Sequence, residues 1–279
     1  MSGKILNLYF KSSSNPLPIG QLSIDDPGRE GSALFFVYDP QWLDYGYALS
    51  RDLPLIPKVF KTDLAHPYFG FMYDLIPGLG ARKAARFIYK KDLTNIELML
   101  LSQEVLRVGA IGFKPEIELP LQYKEVGAVA LDLERLMMGH LNISAIDSLY
   151  KGLSALPGER FKLGYISGKN KNLISKFNIP DPVRNLIIWE GVALSLAKRL
   201  GLKTVTAELT STRGMDTLVT LRFDRTAHGS ALPTATAKAL LCAQTDEHSY
   251  LEVADILNQE GTKPKQDLEE LWRRMVFNM

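Results

Sequence analysis

Short apolar runs separated by turn chemistry open the chain. "KILNLYF" (4–10) and "SALFFVYD" (32–39) predict strands, and "DDPGREG" (25–31) between them predicts a turn. Prolines recur from Pro40 to Pro77, which predicts irregular backbone with short helices. After "PGLG" (77–80), "ARKAARFIYKK" (81–91) predicts a basic helix, and the capping-box pair Thr94 and Glu97 predicts an apolar helix running through Leu106. "VGAIGFKPEIELP" (108–120) returns to strand and turn, and residues 131–149 resume helical periodicity.

The second half repeats this alternation. A glycine-bearing loop, "SALPGERFK" (154–162), precedes a strand, "NLISKF" (172–177), and a helix over 182–200 that Gly201 stops. Asp181 fits its N-cap and Pro182 its first helical position. Strands "TVTAEL" (204–209) and "TLVTLRFD" (217–224) follow, then a Ser249/Glu252 capping box and a terminal helix. That last helix aligns Leu268, Leu271, Trp272, Met275 and Val276 in one apolar stripe, beside the i,i+4 pairs Glu269/Arg273 and Glu270/Arg274. The stripe needs a surface to bury against, and the chain stops at Met279 without supplying a later one. The expected fold class is α+β: a mixed α/β subdomain over 1–128, then a second unit over 129–279. No internal repeat or low-complexity segment interrupts it.

Composition narrows the function classes. Of the 279 residues, 46% are apolar and 23% charged, as in a globular protein with a full core. Lys and Arg total 33 against 31 acids, so no global field selects nucleic acid or an anionic membrane. Cys242 alone forms no internal disulfide, and the scattered His66, His140, His228 and His248 offer no zinc spacing. "MSGKILNLYFKSSS" is too briefly apolar for a signal peptide, and Glu190 and Lys198 interrupt the most apolar helix, so a cytoplasmic protein with no membrane span is expected.

The helix over 182–200 has an apolar face of Val183, Leu186, Ile187, Leu194 and Ala197, and Glu190 falls on that face. A carboxylate there calls for a cation. In "NLISKF", alternation places Lys176 with Ile174 and away from Leu173 and Phe177, so a strand lysine can meet the helix carboxylate. Protein kinases use such a pair to hold the α- and β-phosphates of ATP. Spacing alone leaves the alternative open, with Lys176 solvated and Glu190 at the helix edge. "LPGERFK" can bring backbone amides to phosphate oxygens, with Arg160 and Lys162 adding charge, or it is a surface turn. "GLGARK" (78–83) reads as a loop entering a helix. "LRFDR" (221–225) reads as an ion-pair cluster at a strand end and "GKNKN" (168–172) as a solvated hairpin turn. His228 and Cys242 have no partners at catalytic spacing.

In order along the chain, these pieces resemble the HipA family of bacterial serine/threonine kinases, the toxins of type II toxin–antitoxin pairs. "IGQLSIDDPGREGSALFFVYDPQWL", "ALSRDLPL", "FMYDLIPGLGARKA" and "RVGAIGF" are similar to the family's N-terminal subdomain. "LPGERFK" is similar to its glycine-rich loop through Gly158, Arg160 and Lys162. "LISKF" carries the nucleotide lysine at Lys176, "IIWEGVALSLAKRLGL" the helix glutamate at Glu190, and "RFDR" and "RRMVFN" follow. The resemblance implies a kinase-like N-lobe, an antiparallel sheet with a Glu-bearing helix, and a C-lobe largely absent from these residues. It implies ATP and Mg²⁺, with the catalytic loop and the metal-binding Asp beyond Met279, so 1–279 is expected to be inactive alone. It implies a protein substrate of the aminoacyl-tRNA synthetase class, a helix-turn-helix antitoxin as partner, and DNA met only through that antitoxin. Pro157 and Glu159 depart from the family loop, and Ser154, nearest to the family's regulatory serine, is about one residue out of register. Two other readings stand beside it: a non-catalytic protein, a decayed or split kinase half, that docks an antitoxin or a second kinase chain, and direct DNA contact by Arg82, Lys83, Arg86, Lys90 and Lys91.

Overall fold

A computed structural model describes residues 3–12, 15–114, 121–122, 126–128, 131–132, 135, 140, 156, 162–167, 171–178, 185–242 and 248–279. Among these residues two five-stranded sheets organise the chain. The first contains β1 (Lys4–Phe10), β2 (Leu17–Ile24), β3 (Leu34–Tyr38), β4 (Phe60–Lys61) and β5 (Ile111–Gly112), in the antiparallel order β4-β3-β2-β1-β5. Alternation sends Leu6, Leu8, Leu22, Phe36 and Tyr38 into one core, the register irregularity opposite Leu8 and Tyr9 adds Ile19, and Trp42 with Phe69, Phe71 and Met72 around a 3-10 turn at Gly70–Asp74 closes it.

Helices α1 (Pro40–Tyr45), α2 (Leu79–Tyr89) and α3 (Asn95–Leu101) complete this unit. The Thr94/Glu97 box is present: Glu97 N donates to the Thr94 hydroxyl at 3.1 Å, and Thr94 N donates to the Glu97 carboxylate at 2.8 Å. However, α3 ends at Leu101, short of the predicted Leu106. The Ser102 hydroxyl donates back to Leu98 O, and the Arg107 guanidinium takes the carbonyls of Met99 and Ser102, which satisfies the last turn without further helix. A 3-10 turn, Glu104–Leu106, follows.

The second sheet runs β6-β7-β8-β10-β9, from β6 (Leu121–Gln122), β7 (Lys162–Ile166), β8 (Asn172–Phe177), β9 (Ala207–Thr212) and β10 (Met215–Leu221). β6 pairs parallel with β7, so the sheet is mixed and begins earlier in the chain than residue 129; the remaining pairs are antiparallel. β9 lies three residues later than predicted, because the hairpin turns on Arg213 and Gly214, both with positive φ, as two-residue hairpin turns require. α4 (Leu186–Arg199) packs on β9 and β10. Its described start is Leu186, where the Asn185 side chain caps by accepting from Ile188 N at 3.2 Å. The predicted cap Asp181, with Pro182 and Val183, lies outside the described residues, as does nearly all of the predicted 131–149 helix.

The chain then returns to the first unit through α5 (Ala237–Leu240), whose Thr236 cap donates its N–H and hydroxyl to Asp74. Gly70 permits this approach, since a Cβ there would meet Ala239 O at 2.4 Å. α6 (Tyr250–Glu260) opens on the predicted Ser249/Glu252 box and packs against α7 (Pro264–Asn278). The α7 stripe contains no buried residue, and Trp272 is 63% exposed. No helix among the described residues is long and apolar enough to cross a membrane.

Candidate functional site

The site is built on one row across the second sheet. Lys162, Lys176, Leu218 and Leu209 are successive cross-strand partners on β7, β8, β10 and β9, so their side chains leave the same face. α4 covers the β9 and β10 end of that face. Gly191 lets the helix lie low there, because a Cβ would stand 2.5 Å from Leu209 Cδ1. The adjoining residue, Glu190, therefore reaches β8, and the Lys176 ammonium donates to its Oε1. Sequence spacing paired these two residues, and the structure brings them together.

The two side chains are 24% and 30% exposed, so the pair is open to solvent on one side. Such a pair adds little to stability. Lys162 and Lys176 are directly opposite on antiparallel strands, a disfavoured juxtaposition of like charge that Glu190 offsets for Lys176. Gly158 and Arg160, like Ser154, lie outside the described residues; Lys162, six residues after Leu156, is the part of the predicted loop motif that the structure places.

Beside the row, a groove of about 390 Å³ runs between α4 and β9, lined by Gly191, Leu194, Ser195, Lys198, Leu209 and Leu218. Of the predicted apolar face of α4, Ile187 and Ala197 are buried, but Leu186 is 40% exposed. Ile188, Trp189, Val192 and Leu196 face outward, so the helix is apolar on both sides and periodicity could not orient it.

The "RFDR" segment is the ion-pair cluster at a strand end that the sequence suggested, and it is buried: Arg222, Asp224 and Arg225 side chains are only 2%, 3% and 7% exposed. Asp224 accepts from Arg222 Nε at 2.9 Å, Arg222 Nη2 at 2.7 Å, Arg225 Nη1 at 2.8 Å and Gly109 N at 3.0 Å. The arginines also donate to the carbonyl of Arg107, at 2.8 and 2.9 Å. The segment thus clasps the end of β10 to the 105–109 stretch of the first unit, and β10 stops at Leu221 for that reason. Burial opposes Asp224 ionisation, but the bonds and charge of Arg222, then Arg225, outweigh it and hold the carboxyl below its ordinary value. Burial and the neighbouring Arg222 depress Arg225 to about 10, so it stays charged at neutral pH.

Alongside this clasp, Glu104 accepts from Lys11 at 3.2 Å, Arg107 Nε at 2.9 Å and Phe113 N at 2.8 Å. Burial raises its pKa, yet Arg107 and Lys11 prevail and lower it. Neither buried acid was singled out from sequence as part of an interface; "RFDR" was visible only as a charge cluster. Burial pushes the Cys242 thiol up to about 11, with Asp52 adding to the effect, so it is a poor nucleophile at neutral pH. Among the described residues no group of three or more His, Cys, Asp or Glu could hold a metal ion.

Fold and site together define a two-sheet α+β protein in which a helix carboxylate steadies a strand lysine beside a second lysine. Residues 154–279 match the family model described as HipA-like C-terminal domain. Over 98% of its length the chain superposes, with a TM-score of 0.63 and 17% identity, on 68% of a chain from the Shewanella oneidensis MR-1 toxin–antitoxin complex of HipA, HipB and operator DNA. Residues 154–279, less than half of the chain, carry the family likeness, and the superposition at 17% identity shows a shared fold. No curated protein sequence matches it.

Proposed function

We propose that the chain is the toxin of a toxin–antitoxin pair and carries the nucleotide-holding half of a serine/threonine kinase. The observation that carries this reading is the Lys176–Glu190 pair, opposite Lys162, on the face of the second sheet that α4 partly covers. In phosphoryl transfer to a protein hydroxyl, the substrate oxygen bonds to the γ-phosphorus as the β,γ-bridging P–O bond breaks and ADP leaves. Catalysis of that step is mainly positioning and charge stabilisation. Lys176 would hold the α- and β-phosphate oxygens, and Glu190 would keep its ammonium in place. Lys162, with Gly158 and Arg160 in the preceding loop, would add donors and positive charge. Mg²⁺ would supply charge neutralisation at the phosphates; the described residues present no cluster of acids for it, so its ligands and the base that takes the hydroxyl proton are assigned to none of them. The target is a bacterial protein, of the aminoacyl-tRNA synthetase class by family resemblance.

The partner in this reading is a HipB-like helix-turn-helix antitoxin, with DNA met through it. The Shewanella oneidensis complex of HipA, HipB and operator DNA supports that choice. The same comparison favours a second reading, in which the chain docks an antitoxin without phosphoryl transfer. Thermal unfolding with and without Mg-ATP separates the two, because a ligand that binds the folded form raises its stability. The kinase reading expects stabilisation that Lys176→Met removes; the docking reading expects none.

A further inference from the structure

The segment that ties the two units together also touches the lysine face. A Cβ on Gly164 would stand 2.7 Å from Leu106 Cδ2 and 3.8 Å from Arg222 Nη1. Leu106 closes the 3-10 turn Glu104–Leu106 of the first unit and is 1% exposed, so its side chain has no free volume into which to swing. Gly164 is opposite Ile174, as Lys162 is opposite Lys176. Alternation puts the Gly164 position on the same face as both lysines, one repeat of about 7 Å along the strands. Leu106 is therefore a knob from the first unit seated against the β7–β8 hairpin, one row from Lys162 and Lys176.

The knob is held firmly from behind. Glu104 at the start of its turn accepts from Lys11, Arg107 and Phe113. The carbonyls of Val105 and Arg107, flanking it, accept from Arg225, and that of Arg107 from Arg222 as well. β8 meets α4 on this same face through Lys176 and Glu190, and β7 is the hairpin partner of β8.

We propose that Leu106 is a positioning residue for Lys176: seated in the notch left by Gly164, it sets the β7–β8 hairpin so that the Lys176 ammonium meets Glu190. The first unit thereby governs the site through one apolar contact, and anything that shifts the Glu104–Gly109 stretch would shift Lys176. Its bearing on nucleotide rests on the reading above; its bearing on Lys176 does not.

The test is the acylation rate of Lys176 by acetic anhydride, read by mass spectrometry against the exposed Lys171 in Leu106→Ala, Gly164→Ala and the double variant. An ammonium held by Glu190 reacts slowly. Each single variant is expected to raise Lys176 labelling severalfold, and the double variant to return it towards wild type, because the added methyl refills part of the space that the leucine leaves. Thr94→Ala, which weakens the first unit elsewhere, is expected to leave it unchanged. Should Gly164→Ala fail to fold, Leu106→Ala carries the test. Unchanged Lys176 labelling in Leu106→Ala, or an equal rise in Thr94→Ala, overturns the proposal. Mg-ATP shifts measured on the same proteins keep the two readings apart: a wild type that Mg-ATP does not stabilise defeats the nucleotide reading, while the labelling still decides the role of Leu106.

Discussion

Asp224→Ala removes the acceptor at the centre of the clasp and leaves Arg222 and Arg225 buried around an empty place. Three side-chain bonds of 2.7–2.9 Å and the 3.0 Å bond from Gly109 N are lost together. Breaking a buried ion pair from one side typically costs about 3–5 kcal/mol, because the stranded charge is uncompensated. The carbonyls of Val105 and Arg107 still accept from the arginines, which places the expected loss towards the lower end, about 3 kcal/mol. For a chain of this size that corresponds to a melting-temperature fall of roughly 5 °C. Circular dichroism on heating measures it, and urea titration gives the free energy independently. The pH dependence has a definite sign. Asp224 and Glu104 are both held below their ordinary values of 3.8 and 4.5, so the stability they contribute is complete above those values and is lost as pH falls through the lower folded-state values. Asp224→Ala should therefore lose most at neutral pH and converge on wild type as pH falls through the lowered folded-state value of Asp224. A variant that melts within about 2 °C of wild type at pH 7 would refute the clasp as the principal tie between the units.

Glu190→Gln should leave the melting temperature nearly unchanged, since an ion pair this open contributes about 0–1 kcal/mol, while weakening Mg-ATP stabilisation. A large loss of fold stability would mark Glu190 as a structural residue instead. Thr94→Ala removes the hydroxyl of a complete capping box and its 2.6 Å bond to Pro27 O, and should cost about 1–2 kcal/mol by urea unfolding, with Thr94→Ser close to wild type. Equal losses in the two variants would show that the hydroxyl is not the cause.

What the sequence disclosed was local. "KILNLYF" and "NLISKF" match β1 and β8, and both capping boxes form, because strand alternation and caps are decided within a few residues. Strand and helix periodicity made the Lys176 and Glu190 pairing possible but left it open, and the family resemblance favoured it. Errors arose where distant chain intervened. The extension of α3 to Leu106 fails because Arg107, outside the helix, takes its last carbonyls. "RFDR" was legible as an ion-pair cluster but its burial was not, because that depends on residues 105–109, more than a hundred positions earlier. The Leu106–Gly164 contact had no local signal except a glycine inside a strand, which marks close approach without naming the neighbour.

The central claim is that ammonium 176, steadied by carboxylate 190, grips nucleotide phosphate. Differential scanning fluorimetry of wild type and Lys176→Met over a range of Mg-ATP concentrations tests it most directly. At a hundredfold excess over Kd the wild type should gain about 2.7 kcal/mol, a rise of roughly 5 °C, and Lys176→Met should gain little while melting normally without nucleotide. An unshifted wild type, or a variant that shifts as far as wild type, would contradict the account.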